Sequence, residues 1–322
     1  MISSYASASA KIILFGEHAV VYGQPAVAIP LQDIRASAAV SIDISISNPI
    51  VEAKDLKLET ALNVTSHPES ILHIIKAIKL INERVVNLPQ SGWRLTVWSK
   101  IPMGRGLGSS AATSIAVLRA LLKAMNEIIS ARKLIKLSYE LEKIHHGKPS
   151  GIDNTVISME KPILFRKDKA PTMINPDSMF FVVGDTGIAK KTSEVVSQVA
   201  DARDENSEQY DYIFNQIGKI ALNGARALQE GDVLKLGNLM NENQSLLEKI
   251  NVSSPELDKL ISEARLHGAF GAKLCGAGKG GCMVAITKDG RTAANVTKSL
   301  IKAGAKRSFT TKLIKNPEVS LS

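Results

Sequence analysis

Apolar and polar residues alternate along residues 36–46, with Ala36, Ala38, Val40, Ile42, Ile44 and Ile46 on one side and Ser37, Ser41, Asp43 and Ser45 on the other. A period of two marks a strand with one buried face, and Leu95 and Val97 repeat it within residues 94–98. Residues 12–15 form an apolar strand that starts after Lys11 and breaks at Gly16. Helical spacing fits residues 70–84, 110–125 and 131–145. A second set begins with the strand of Met179, Phe180, Phe181, Val182 and Val183. Helices come next at residues 208–229, 232–249 and 255–267, then strands around Ala272, Gly281 and Ser308. Capping residues support two of these helices: Asp232 after Gly231, and Ser254 before Pro255. Strands and helices mix in both halves, which predicts an α+β chain of two domains, residues 1–170 and 171–322. The Pro-containing, weakly apolar residues 166–177 are the natural join.

Composition narrows this picture only a little. The 322 residues are 44% hydrophobic and 22% charged, an ordinary globular balance. The two cysteines, Cys275 and Cys282, lack metal-site spacing and point to a reducing, cytoplasmic setting. Lys11 and Glu17 interrupt the Ser/Ala-rich start, so neither a signal peptide nor a membrane anchor is expected. A net charge of +9 raises the question of nucleic acid. The lysines are dispersed and aromatics make up only 4%, so no nucleic-acid partner is expected. A solvated basic surface is the plainest reading, and attraction of anionic substrates the next.

The chemistry concentrates in glycine clusters. Gly104, Gly106 and Gly108 alternate, and Ser109 and Ser110 then lead into the helix at residues 110–125. Such a loop turns its N–H groups toward one point, and the helix adds its positive end, which suits a phosphate chain. No Gly-Lys-Ser/Thr comes after it, so it is not a Walker A loop. The alternative is a serine-capped glycine turn. Residues 16–18, Gly-Glu-His, place charge beside an apolar strand, which is expensive unless paired or used. Residues 147–154 form a turn that holds Asp153, after a helical run with Glu142. A plain capping role for Asp153 stays open. Gly276, Gly278 and Gly281 fit the dinucleotide pattern G-x-G-x-x-G, but residues 282–287 read as a strand instead of the helix such a loop must open, so nicotinamide binding is excluded.

Four segments in order carry a family resemblance: residues 16–23 (GEHAVVYG), 106–112 (GLGSSAA), 149–154 (PSGIDN) and 276–282 (GAGKGGC). The chain resembles the GHMP kinases, the superfamily of galactokinase, homoserine kinase, mevalonate kinase and phosphomevalonate kinase. Its motifs are most similar to those of the mevalonate kinase branch. The resemblance implies a two-domain GHMP kinase fold with the nucleotide and substrate cleft between the domains. It implies ATP-dependent phosphorylation of the 5-hydroxyl of mevalonate, with Mg2+ as cofactor. ATP would lie on Gly104, Arg105, Gly106, Leu107, Gly108, Ser109, Ser110 and Ala111. Ser110 and Glu142, both hard oxygen donors, would hold the metal. Glu140 is equally acidic, and the family's spacing to Asp153 selects Glu142. Asp153 would be the base and Lys11 its partner, while His18, Glu17 and Thr192 would meet the substrate.

Other readings stay open. They are a kinase of the same type for another small hydroxy acid or polyol, a non-catalytic regulator of the same fold, and a nucleic-acid-binding module. Membrane association is not expected, and a homodimer is compatible with the sequence. His145 and His146 read as helix-capping residues, not as ligands. Two residues depart from the family's usual wording: Arg105 inside the phosphate loop and Lys279 in the last motif. Both are long cations near the expected triphosphate, and the plainer reading turns both toward solvent. For Arg105 the sequence favours a mobile, solvent-screened guanidinium that swings over the phosphates.

Overall fold

The computed structural model describes residues 1–146 and 150–314, save the side chains of residues 144–146. Its first elements are β1 (Ser4–Phe15), β2 (Ala26–Ile42), β3 (Ile50–Ala53), β4 (Leu58–Ala61), α1 (Leu72–Arg84), β5 (Trp93–Ser99), α2 (Ser109–Ala124), α3 (Ala131–His146) and α4 (Ile152–Met159). Next come β6 (Ile163–Phe165), β7 (Thr172–Met173), β8 (Met179–Asp185), α5 (Thr192–Glu205), α6 (Ser207–Glu230) and α7 (Val233–Lys249). The last are α8 (Pro255–Leu266), β9 (Ala269–Cys275), β10 (Cys282–Thr287), α9 (Gly290–Lys302) and β11 (Arg307–Leu313). The α+β class is as expected. Contacts gather into two compact units, and β1 and β2 each contribute residues to both.

The first unit comprises Met1–Ala10, Ile34–Met103 and Gly108–Glu160. Its strands run in the order β4, β3, β5, β2, with β3 parallel to β5 and the other pairs antiparallel. Helix α2 is apolar nearly all round, from Ala112 to Ala124, because α1, α3, α4 and β5 surround it. Trp93 is buried at the start of β5, and its indole N–H donates to the Pro89 carbonyl at 2.7 Å, so the ring leaves no stranded polar group. The far end of α4 is clamped. Oε1 of Glu160 accepts from Arg35 at 2.7 Å and from Arg119 at 2.8 Å, while Arg119 also donates to the Ser158 carbonyl at 2.9 Å. That clamp fixes the helix whose first turn carries Asp153.

The second unit comprises Lys11–Asp33, Gly104–Leu107 and Lys161–Ser322. Its main sheet is antiparallel in the order β11, β8, β10, β9. Val182, Leu274, Met283 and Ala285 of that sheet pack with Phe214, Ile217, Leu257, Leu260 and Val296 from the helices. Asp232 and Ser254 cap α7 and α8 as expected, accepting from the N–H groups of Lys235 and Leu257.

Three local expectations change. The strand predicted to run to residue 46 ends at Ile42, because Asp43 forms a turn in which its carboxylate accepts from the N–H and hydroxyl of Ser45. Ile44 beyond it is 92% exposed. The turn predicted over residues 147–154 gives way to α4 from Ile152, where burial of Thr155, Val156 and Ile157 outweighs their weak helix preference. Helices α5 and α9 were not foreseen, although Asp289 caps α9 on the Thr292 N–H. Among the described residues no helix is long and apolar enough to cross a membrane.

Candidate active site

Gly104, Gly106 and Gly108 all adopt left-handed backbone, with φ of 68°, 75° and 73°. The Ala112 N–H bonds back to Gly108 at 2.9 Å, which leaves the amides just before it as the unpaired start of α2. Ser110 is exposed there, and no side chain caps the helix. The N-terminal end of a long apolar helix, without its own cap, is a ready anion site.

Within the second unit, residues 104–106 of this loop pack backbone to backbone on the link between β9 and β10. A Cβ at Gly106 would stand 3.5 Å from the Cys275 carbonyl oxygen, and one at Gly281 would stand 3.4 Å from the Arg105 carbonyl oxygen. The link itself holds Gly276, Gly278, Lys279, Gly280 and Gly281 at positive φ. It runs into the strand β10, so the rejection of dinucleotide binding holds. Together these segments line a small open pocket with Lys190 and Thr192. Thr192 is the exposed first residue of α5.

One lining residue, Ala277, leads to a group of buried polar residues. His18 is 6% exposed, and its Nε2 donates to the Ala277 carbonyl at 2.9 Å. Burial lowers its pKa to about 4, so the ring is neutral and Nδ1 keeps its lone pair. Glu17 is 1% exposed and ion-paired with Lys273, which is fully buried on β9 and also donates to the Leu274 carbonyl at 2.6 Å. Burial raises the Glu17 pKa, while the charges of Lys273 and then Lys11 oppose that rise. Lys11 is also buried, and its N–H donates to the Leu107 carbonyl at 3.1 Å. Cys275 is no nucleophile: burial pushes its thiol up to about 12, and Cys282 rises for the same reason.

In the first unit, α3 and α4 bring two carboxylates of the sequence reading onto neighbouring helices. Asp153 lies in the first turn of α4, after Gly151 at φ 84°. Next to it, the buried Asn154 donates through Nδ2 to Oε2 of Glu142 at 2.5 Å. Glu142 is therefore an oriented carboxylate, not a loose surface charge. Among the described residues no three His, Cys, Asp or Glu side chains group as a metal site. The Glu142 carboxylate and, at the exposed start of α2, the Ser110 hydroxyl are hard oxygen donors of the kind Mg2+ takes.

Known proteins resolve the family. The GHMP kinases N terminal domain matches residues 73–161, and the GHMP kinases C terminal domain matches residues 225–306. A mevalonate kinase of Pyrococcus abyssi is 35% identical over 301 residues, 87% of this chain and 88% of its own. The chain belongs to the GHMP kinases, in the mevalonate kinase family. The mevalonate kinase of Archaeoglobus fulgidus is likewise 35% identical, over 288 residues. Among solved structures, an L. major mevalonate kinase in complex with R-mevalonate superposes with a TM-score of 0.84 at 27% identity, covering 97% of this chain and 96% of that one. The Methanococcus jannaschii mevalonate kinase gives 0.83 at 29% identity, with coverage of 97% and 98%.

Of the two residues singled out for their charge, Arg105 sits differently from expectation. Arg105 is not a mobile cation in solvent. Its side chain is 16% exposed, with Nε 3.1 Å from Oδ1 of Asp185 and Nη2 donating to the Gly187 carbonyl at 2.7 Å. Lys279 directs its ammonium to Oδ1 of Asn251 at 2.9 Å. The side chains of His145 and His146, and residues 147–149 of the PSGIDN turn, lie outside the described residues. Sequence reasoning passed over Lys273, Asp185 and the orienting role of Asn154. Lys273 carried a readable signal, a lone lysine inside the otherwise apolar Ala272, Leu274 and Cys275. Its partner stands 256 positions away, and nothing local points to it.

Proposed function

We propose that this kinase transfers the γ-phosphoryl group of ATP to the 5-hydroxyl of mevalonate, giving 5-phosphomevalonate for isoprenoid biosynthesis. The observation that carries the reading is the uncapped start of α2, fed by three left-handed glycines, in a chain 35% identical over most of its length to mevalonate kinases. In this reading the amides of residues 104–111 cradle the phosphates. Asp153 accepts or orients the proton of the attacking hydroxyl, and Lys11 balances the charge. Neutral His18 offers Nδ1 as an acceptor, so it meets a substrate hydroxyl and not the substrate carboxylate. Glu17 acts from its buried pair with Lys273, holding the turn before His18, and Thr192 contributes from α5.

Ser110 and Glu142 would hold Mg2+, which would neutralise charge on the transferring phosphate. The N-terminal part through residue 170 would carry the phosphate loop, and residues 171–322 the last glycine link. A cytoplasmic enzyme with ATP and mevalonate as its partners, free of membrane and nucleic acid, completes the proposal, with a homodimer as the assembly to test by light scattering.

The direct test is ADP release measured with mevalonate, phosphomevalonate, shikimate, homoserine and galactose. Turnover should require mevalonate; a preference for any other acceptor, or none, overturns the assignment. Asp153→Asn keeps the shape and removes the anionic acceptor, so kcat should fall by about 10²–10⁴-fold with ATP affinity little changed. Near-normal turnover in that variant would remove Asp153 from the chemistry. Ser110→Ala and Glu142→Gln should each raise the magnesium concentration needed for half-maximal rate, with thermal midpoints nearly unmoved. An unchanged magnesium titration in both assigns the ion elsewhere.

A further inference from the structure

Arg105 lines the same small pocket together with Gly104 and Gly106, yet two of its three guanidinium nitrogens are committed elsewhere. Nε lies 3.1 Å from Oδ1 of Asp185, the last residue of β8, and Nη2 donates to the Gly187 carbonyl at 2.7 Å. The same Oδ1 accepts from the Gly187 N–H at 2.8 Å. Asp185 is 2% exposed, and a buried carboxylate without a compensating cation is strongly unfavourable. The segment after it is tied to the last glycine link in both directions. The Thr186 N–H donates to the Gly281 carbonyl and the Gly281 N–H to the Ile188 carbonyl, each at 2.9 Å. Four residues beyond Ile188 comes Thr192.

We propose that Arg105 is a positioning residue for the nucleotide: by pairing with Asp185 it cancels a carboxylate charge one side chain away from the phosphate pocket. The proposal rests on the reading of that loop as the ATP cradle. With Nε and Nη2 held this way, swinging the whole guanidinium onto the phosphates would leave Asp185 as an uncompensated buried anion beside an incoming polyphosphate. Only Nη1, buried and without a hydrogen-bond partner among the described residues, stays available to the phosphates. The charge of Arg105 serves the site by silencing Asp185.

A double-substitution cycle separates this from direct phosphate contact. ADP affinity by calorimetry, and KM for ATP and for mevalonate, are measured below every variant's thermal midpoint. Arg105→Ala should weaken ADP binding and raise KM for ATP by about tenfold or more, with KM for mevalonate within roughly twofold. Adding Asp185→Asn to Arg105→Ala removes the stranded anion and should return both nucleotide values to within about threefold of the parent. Arg105→Lys keeps the charge but not the fork, and should also stay within about threefold. A doubly substituted protein as weak as Arg105→Ala overturns the cancellation of Asp185 in favour of phosphate contact. Parental ADP affinity in Arg105→Ala, with only a lowered midpoint, overturns it in favour of a purely structural pair. A parent that binds neither ADP nor ATP sinks the kinase reading itself, which the parent protein reports before any variant is made.

Discussion

Two glycine clusters of this chain look alike as text and differ as physics. In the first, Gly104 has only the Ala189 methyl, 3.8 Å from where a Cβ would stand, and Gly106 meets its neighbours at 3.5 Å, an ordinary contact. Glycine is needed there for the left-handed turns that aim N–H groups at a ligand. In the second, a Cβ at Gly278 would stand 2.0 Å from the Val252 carbonyl oxygen, and one at Gly280 would stand 2.9 Å from that of Ile188. Glycine is needed there because other backbone already fills the space. On the proposed reading the first cluster receives the phosphates, and the second forms the wall it stands against. Identical letters therefore carry different costs.

The largest consequence falls on the wall. Gly278→Ala combines a steric collision with a left-handed φ of 85°, a cost of roughly 2–6 kcal/mol. In a unit of this size the thermal midpoint should drop by about 5–20 °C, or soluble protein should be lost. A variant that melts like the parent would show that Val252 yields easily, and the contrast between the clusters would collapse.

The loop should answer in the opposite sense. Gly106→Ala has room for its methyl and suffers only the left-handed penalty, about 1–2 kcal/mol, so its midpoint should fall by only a few degrees. Its amide directions should shift, and KM for ATP should rise by about tenfold while KM for mevalonate holds. Loss of stability equal to that of Gly278→Ala, with nucleotide kinetics intact in what remains folded, would reverse the assignment of the two roles.

How far the sequence could reveal this depended on range. The caps at Asp232 and Ser254 were legible because their partners lie three residues away. The family was legible because its four motifs stand in order at residues 16–23, 106–112, 149–154 and 276–282. The strand end at Asp43 was legible in principle, since Asp43 and Ser45 spell a turn, but the apolar Ile44 and Ile46 masked it. The buried partners were not legible at all. Glu17 finds Lys273 across 256 positions, and Glu160 gathers Arg35 and Arg119 across 125 and 41. Pairings of that reach are decided by tertiary packing, and no local pattern encodes them. Arg105 was misjudged for the same reason: its neighbours in sequence are flexible glycines, whereas Asp185, its partner in space, is rigid and buried.

The smallest expected effect probes the wall cluster through His18, whose Nε2–H is fixed on the Ala277 carbonyl of that link. Burial holds its pKa near 4 in the folded protein, against about 6.5 for an unhindered imidazole. The unfolded chain therefore takes up a proton first as pH falls. The stability from keeping this ring neutral is fully present above pH ~6.5 and is lost progressively as pH falls toward 4. At pH 6 the loss amounts to about 1 kcal/mol, or roughly 2–4 °C in midpoint. His18→Asn cannot titrate, so the parent-minus-variant midpoint should be flat above pH 7 and slope downward from about 6.5 to 4, the slope being the diagnostic quantity. A difference that stays constant across that range would mean that His18 takes up its proton at the same pH in the folded protein as in the unfolded chain, so burial would not be what holds the ring neutral.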